Sequence, residues 1–325
     1  MEISVVTDPV LTGREVILER TRAGLRNIRN RIISRPSYLV SPYRGHASVT
    51  RSLVEGAAKA GLCVRYNPRS LEGVSDVVVV LSGIPALKQM IRLKRKGFIK
   101  HLIAGPNLVV YPTDNGGIIA SPEIDLCITP SEGICSLYVQ KNHRLAGRCV
   151  PWAAGVDEEY WSPSAGDRRD RILIYAKRNK GPIIDIEVFK RYLLAKGYKV
   201  VVIEYGKYSA SEFRNELRRA KLMVGFSRHE SQGIAWAEAW SVNVPTILWE
   251  SRFARYRGER MYGEVAPYLT EDTGVHFRDL SDFSIKIEKW EAGQGFRPRE
   301  WVLENMTDVV CARRLFEIAS KLGSN

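Results

Sequence analysis

The chain has 325 residues, 45% of them hydrophobic and 26% charged, which suits a folded globular protein with room for about two domains. It lacks any run of about 18 uncharged apolar residues, so no membrane-spanning helix is expected, and its start has no basic-then-apolar leader, which reads as cytoplasmic. The five cysteines show no metal-ligand spacing and read as free thiols, while a net charge of +13 and a pI near 9.6 point to an acidic partner.

Residues 1–36 fit no regular scheme. They read as one additional strand and a basic amphipathic helix, with seven arginines and two glutamates between positions 14 and 35. From about residue 37, short apolar runs alternate with helical patterns. "SYLVS" precedes the helical "ASVTRSLVEGAAKAG"; "LCVRY" and "SDVVVVLSG" follow, then a basic helix near 85–97. "KHLIAG", "EIDLCITPS", a helix near 131–145 and "RCVPW" complete the set. Val- and Ile-rich strands separated by helices of 10–15 residues are the pattern of βαβ units and a parallel sheet. The segment 88–100, "KQMIRLKRKGFIK", carries six lysines or arginines and no acid. It reads either as a solvated basic face or as a docking surface for a polyanion such as an anionic membrane.

Residues 153–170, "AAGVDEEYWSPSAGDRRD", have no clear period and read as a linker. The alternation then restarts with the strand "RILIYAK" and a helix stopped by Gly197. The strand "YKVVVIEYG" comes next, and Ser209 with Glu212 forms a capping box for the following helix. "KLMVGFS" and "PTILWE" are two more strands, and the tail from 299 is helical. The domain expectation is therefore 1–152, a linker at 153–170, a second domain at 171–300, and a C-terminal helix at 301–325 that packs back on the first domain.

Between those last two strands lies "HESQGIAWAEAWSVNV", which keeps two carboxylates, Glu230 and Glu238, in a segment otherwise suited to burial. The loop after "KLMVGFS" holds Arg228, His229 and Glu230, and a helix begins near Ser231 to Gly233. Ligands of parallel sheets bind at the carboxyl ends of strands, and a helix start offers backbone amides to an anion. Eight positions amount to about 80° beyond two full helical turns. The two carboxylates thus bracket two parts of an elongated ligand, with a phosphate between them. A helix cap for Glu230 and an arginine partner for Glu238 are the structural alternatives. Trp236 and Trp240, one turn apart, read as packing residues. His101, His143 and His276 read as structural. "DIE" at 185–187 falls within a predicted helix, so no dedicated metal site is expected.

The segment "ESQGIAWAEAWSVNVPTIL" resembles the E-x7-E motif of retaining nucleotide-sugar glycosyltransferases of the GT-B fold, an α/β architecture of two facing Rossmann-like domains, each a parallel sheet flanked by helices. "PWAAGVDEEYWSP", "ILIYAKRNKG", "APYLTEDTGVHF" and "RPREWVLENMT" resemble further stretches of that family in the same order, and "ITPSEGICSLY" resembles the end of its first domain. The resemblance implies a hexosyltransferase that takes a nucleoside-diphosphate sugar, with UDP- or GDP-sugar favoured, and needs no metal cofactor. It implies that Glu238 binds the ribose, that Glu230 binds the transferred sugar, and that the backbone of Gln232, Gly233 and Ile234, beside Ser231, faces the diphosphate. It places Lys177 and Lys180, with Arg178 as an alternative, at the basic loop that neutralises the departing nucleotide. In the first domain it points to Gly45 near the phosphates, and to His46 and Asn107 on the acceptor side. A glycan or lipid-linked acceptor fits, with the enzyme peripheral on the inner face of an anionic membrane. A DNA-modifying glycosyltransferase and a non-catalytic glycan-binding module on the same fold are the rival readings, and nucleic acid is the less favoured partner. The choice of base and sugar is expected to rest on the loops around Tyr205 to Tyr208 and Glu230.

Overall fold

The computed structural model describes residues 1–10, 45–177, 184–251, 253–256, 259–262, 264–293 and 295–323. The chain divides into two compact units, Met1–Ala154 with Cys311–Asn325, and Gly155–Val310.

The first unit is built on six parallel strands in the order β2-β1-β3-β4-β5-β6. They are β1 (Glu2–Val6), β2 (Cys63–Tyr66), β3 (Val77–Ser82), β4 (His101–Asn107), β5 (Leu126–Thr129) and β6 (Cys149–Pro151). The expected extra strand exists at Glu2–Val6, and it lies inside the sheet, pairing in register with both β2 and β3. Its sequence "EISVV" is short but apolar enough for that place, and Ile3, Val5 and Val6 are wholly buried. The expected strand at 37–41 and the arginine-rich segment 14–35 lie outside the described residues. Helix α1 (Gly45–Lys59), α2 (Ile84–Arg95) and α3 (Glu132–Lys141) connect the strands. α3 ends four residues earlier than expected, because Asn142 turns the chain into a short 3-10 turn at His143–Leu145. β3 is a continuous valine run buried along nearly its whole length, as a strand covered on both faces must be. Leu87 and Met90 of α2 pack on Val78, Val80, Leu102 and Ala104.

The basic run 88–100 is less bare than its sequence suggests. Lys94 pairs with Asp125, Arg95 with Glu123 and Lys100 with Asp76, all brought in from other parts of the first unit. Only Lys88, Arg92 and Lys96 stand outside these three pairs among the described residues. Glu123 answers to this neighbourhood. Ser121 and then Arg95 hold its carboxyl well below the usual range, at about 2.

The second unit carries five parallel strands in the order β13-β10-β9-β7-β8. These are β7 (Arg171–Ala176), β8 (Lys199–Glu204), β9 (Ala220–Phe226), β10 (Thr246–Trp249) and β13 (Gly274–Phe277). An antiparallel hairpin, β11 (Phe253–Tyr256) with β12 (Glu259–Tyr262), interrupts the pattern and was not legible in the sequence. Helices α4 (Ile186–Ala195), α5 (Ala210–Arg219), α6 (Ile234–Ser241) and α7 (Leu280–Glu291) flank the sheet, followed by α8 (Pro298–Asn305); the last helix, α9 (Asp308–Ser320), belongs to the first unit from Cys311 on. The capping box at Ser209 and Glu212 is present, and Gly197 follows α4 with a left-handed φ of 84°. Asp185 caps α4 from outside instead of lying within it. The helical tail is two helices, broken at Met306 and Thr307, where Val156 forms an isolated bridge to Thr307. The core centres on Phe189, Phe226, Phe277 and Phe283, whose rings meet at 4.8–5.7 Å.

His276, on β13 opposite Leu248, should make stability depend on pH. Its Nδ1 is buried without a hydrogen bond, and burial lowers its pKa below the usual 6.5, only partly opposed by Glu250. The unfolded imidazole therefore takes up a proton that the folded one resists. Stability is full above pH 6.5 and falls as the pH drops below it. Thermal melts from pH 7.5 to 5 should show a smaller acid loss for His276→Asn than for wild type; equal losses would contradict this account.

Candidate functional site

The order β13-β10-β9-β7-β8 places a topological switch point in the second unit. From β7 the chain crosses to β8 on one side, then returns to β9 on the other, so the carboxyl ends of β7 and β9 open a crevice suited to a ligand. Both ends carry charged residues singled out in the sequence. β7 runs into Lys177, and β9 runs into the loop 227–233 that contains Glu230.

The ladder continues one residue past the strands. Ala176 is in register with Glu204 and with Phe226. Beyond them the Lys177 amide donates to Phe226 O at 2.9 Å, and the Tyr205 amide donates to Ala176 O at 2.9 Å. Tyr205, Lys177 and Ser227 thus form a row across the ends of β8, β7 and β9. The Lys177 and Ser227 side chains converge on one carboxylate. Lys177 Nζ donates to both Glu230 oxygens at 2.9 Å, and Ser227 Oγ donates to Oε1 at 2.7 Å. The Tyr205 ring lies 4.8 Å from the same ammonium. The Glu230 amide is held by Glu264 O at 2.9 Å, and burial pushes the Glu264 carboxyl up. With the Lys177 side chain 21% exposed and that of Glu230 14% exposed, this ion pair is screened far less than a surface pair.

Glu238 sits on α6, buried at 6% exposure. α6 begins at Ile234, later than the Ser231 of the sequence expectation, because Gly233 takes a left-handed conformation (φ 84°, ψ 48°) and caps it. Glu230 therefore lies ahead of the helix, and the loop's path, more than helical rotation, sets its separation from Glu238. The two carboxylates still act on one neighbourhood. The Tyr175 phenol is pushed far up by burial first, then by Tyr208, whose hydroxyl lies 3.1 Å away, and then by Glu230 and Glu238.

Packing fixes α6 at both ends. Trp236 lies edge-on to Tyr175 at 5.2 Å, and its Nε1 donates to Val265 O at 2.9 Å. It fits over the sheet because Gly225 has no side chain; a Cβ there would stand 2.7 Å from the indole. Trp240 donates to Thr246 Oγ1 and meets Trp301 edge-on at 5.5 Å, so both tryptophans are packing residues as expected. At the far end, Arg169 donates to Val242 O and Asn243 O at 2.7 and 2.6 Å. Arg299 donates to Ser241 O, Trp161 O and Glu158 O. Cations at a helix C-terminus satisfy its open carbonyls and oppose its dipole.

The structure thus brings Lys177, Glu230, Gly233 and Glu238 to one edge of the second unit, with Ser231 exposed, Ile234 partly covered and Gln232 buried beside them. Arg178 and Lys180 lie outside the described residues. Gly45 is the exposed first residue of α1 in the first unit, and the His46 side chain lies outside the described residues. Asn107 ends β4, with its Nδ2 buried and without a hydrogen bond. Ser227, which the sequence reading did not single out, carried one signal, a polar residue at the end of a predicted strand; Tyr205 was expected only as part of the 205–208 loop, and its place beside the Lys177 ammonium was not. Arg169 and Arg299 carried none.

No family model and no curated protein matches the sequence. Solved structures match it along its whole length. A sucrose-phosphate synthase from Thermosynechococcus elongatus superposes with a TM-score of 0.58 at 13% identity, covering 100% of both chains. A glycosyltransferase from Rickettsia africae ESF-5 gives 0.56 at 13% identity, covering 100% of this chain and 99% of that one. The fold is GT-B. Anabaena HepE, solved in complex with UDP, gives 0.55 at 10% identity over 99% of this chain and all of its own. The residues Lys177, Glu230 and Glu238 thus belong to the second α/β unit of a GT-B chain, at its β7/β9 switch point.

Proposed function

We propose that the chain is a retaining glycosyltransferase that moves a hexosyl group from a nucleoside-diphosphate sugar to a glycan or lipid-linked acceptor. The arrangement at the β7/β9 switch point carries this reading. A cation (Lys177), a carboxylate ahead of a helix (Glu230), a glycine-capped helix start (Gly233) and a buried carboxylate one turn in (Glu238) supply what such a donor presents in order. The helix start suits the diphosphate, Glu230 the sugar hydroxyls, and Glu238 the ribose hydroxyls. Lys177 stands where negative charge grows as the nucleotide leaves, and a cation positioned in advance lowers that barrier. Two further observations support the reading. HepE, of the same fold, was solved with UDP, and also with UDP and glucose at a TM-score of 0.51. Tyr205 is 46% exposed at the loop expected to select the base.

A thermal-shift panel of UDP, GDP, ADP, dTDP, CMP and their sugars tests the proposal. At about one hundred times Kd, one of them should add ~2.7 kcal/mol and raise the melting temperature by several degrees. Glu238→Ala should lose most of that rise. If none of the nucleotides stabilises the wild type, the donor assignment is wrong.

A further inference from the structure

The Lys177 ammonium is already surrounded. A lysine has three N–H donors. Here both oxygens of Glu230 take hydrogen bonds at 2.9 Å, and the Tyr205 ring closes another side at 4.8 Å. Its main chain is pinned by Phe226 O, so only the four-carbon stem can move. Glu230 is equally committed, with Ser227 and Lys177 on its oxygens and its amide on Glu264. A diphosphate bound at the start of α6 therefore meets a cation that must loosen its hold on Glu230 in order to serve it. A sugar hydroxyl meets a carboxylate that must loosen its hold on Lys177. These two needs are met by one exchange.

Resting on the glycosyltransferase reading, we propose that Lys177 and Glu230 form a substrate-exchanged latch. The diphosphate, which carries more negative charge than one carboxylate, draws the ammonium away and frees Glu230 for the hydroxyls of the transferred sugar. Phosphate recognition and sugar recognition are thereby coupled, and a free sugar finds Glu230 occupied. No bond is made or broken in this step; one ion pair replaces another. The Lys177 side chain keeps enough exposure for a ligand to reach it.

A double-mutant cycle decides the matter, using the nucleoside diphosphate that the panel selects and titration calorimetry. Glu230→Gln releases Lys177 from its competing partner, so it should tighten nucleoside-diphosphate binding by roughly 5- to 10-fold, the scale of a partly buried ion pair. In the Lys177→Met background the same change should alter binding by less than about 2-fold, because the latch is already gone. An equal gain in both backgrounds would mean simple repulsion between Glu230 and the phosphates, and would overturn the latch; no gain in either would do the same. A second measurement needs only the wild-type fold. In protein labelled with 15N-lysine, the Lys177 ammonium resonance, assigned by its loss in Lys177→Met, should shift when the nucleoside diphosphate is added. A resonance unmoved at saturation overturns the exchange. If no nucleoside diphosphate binds the wild type, the enzymatic reading falls and this one with it. Binding with no coupling removes the latch alone.

Discussion

Gly233→Ala should destabilise the second unit by about 3 kcal/mol and remove its nucleotide response, since a non-glycine left-handed residue costs roughly 1–2 kcal/mol and overpacking adds roughly 1–3. The position has a φ of 84°, and an added Cβ would stand 2.3 Å from Trp236 Cδ1 and 2.9 Å from its Nε1. The indole cannot yield easily. It is wholly buried, pressed against Tyr175, and tied by its N–H to Val265 O. Strain would instead be relieved by moving the start of α6, which shifts both the amides at its first turn and Glu238. Urea unfolding followed by the nucleotide thermal shift measures both effects. Gly166→Ala is the control: it has open space around its Cα and should change neither quantity. A Gly233→Ala protein as stable and as responsive as Gly166→Ala would show that the left-handed start of α6 is dispensable.

Arg299→Ala should cost about 2–4 kcal/mol, because hydrogen bonds to a charged donor are worth roughly 1.5–3 kcal/mol and several are lost together. Its guanidinium, on α8, ties the carbonyl of Ser241 at the end of α6 to those of Trp161 and Glu158. Removal leaves carbonyls partly buried with fewer donors, while Arg169 still holds Val242 and Asn243. The loss should therefore be large without being complete. Arg299→Lys should recover only part of it, since one ammonium cannot span three carbonyls as a planar fork does. Urea unfolding gives the energy, and amide hydrogen exchange along α6 shows where it is spent. A change below about 0.5 kcal/mol, with α6 protection intact, would mean that the guanidinium only decorates the surface.

Much of the second unit was legible because its signals are local. The capping box at Ser209 and Glu212, the glycine stop at Gly197 and the valine- and isoleucine-rich strands act over a few residues, and each appears where the pattern put it. The hairpin of β11 and β12 was not legible, because "FARY" and "ERMY" lack a strong alternation and their pairing is a matter of contact, not of composition. The basic run 88–100 misled in a different way. Its ion-pair partners Asp76, Glu123 and Asp125 are 24 to 31 residues distant in the chain, so the sequence displayed the cations without their neutralisation.

The candidate site divides along the same line. The sequence alone determined that Lys177 and Glu230 stand at the ends of strands in a βαβ pattern, with a glycine and then a second glutamate in the segment that follows, since side-chain chemistry and periodicity are written residue by residue. Only the tertiary structure decided that β9 returns to the far side of β7, and that Glu230 meets Lys177 from 53 positions away. It also decided that Tyr205 closes over the ammonium and that two arginines from outside α6 seal its end. The physical reason is register. Which charge faces which is set by hydrogen bonds between neighbouring strands and by the packing of Trp236 into the space left by Gly225. Neither is a property of any short stretch of the chain.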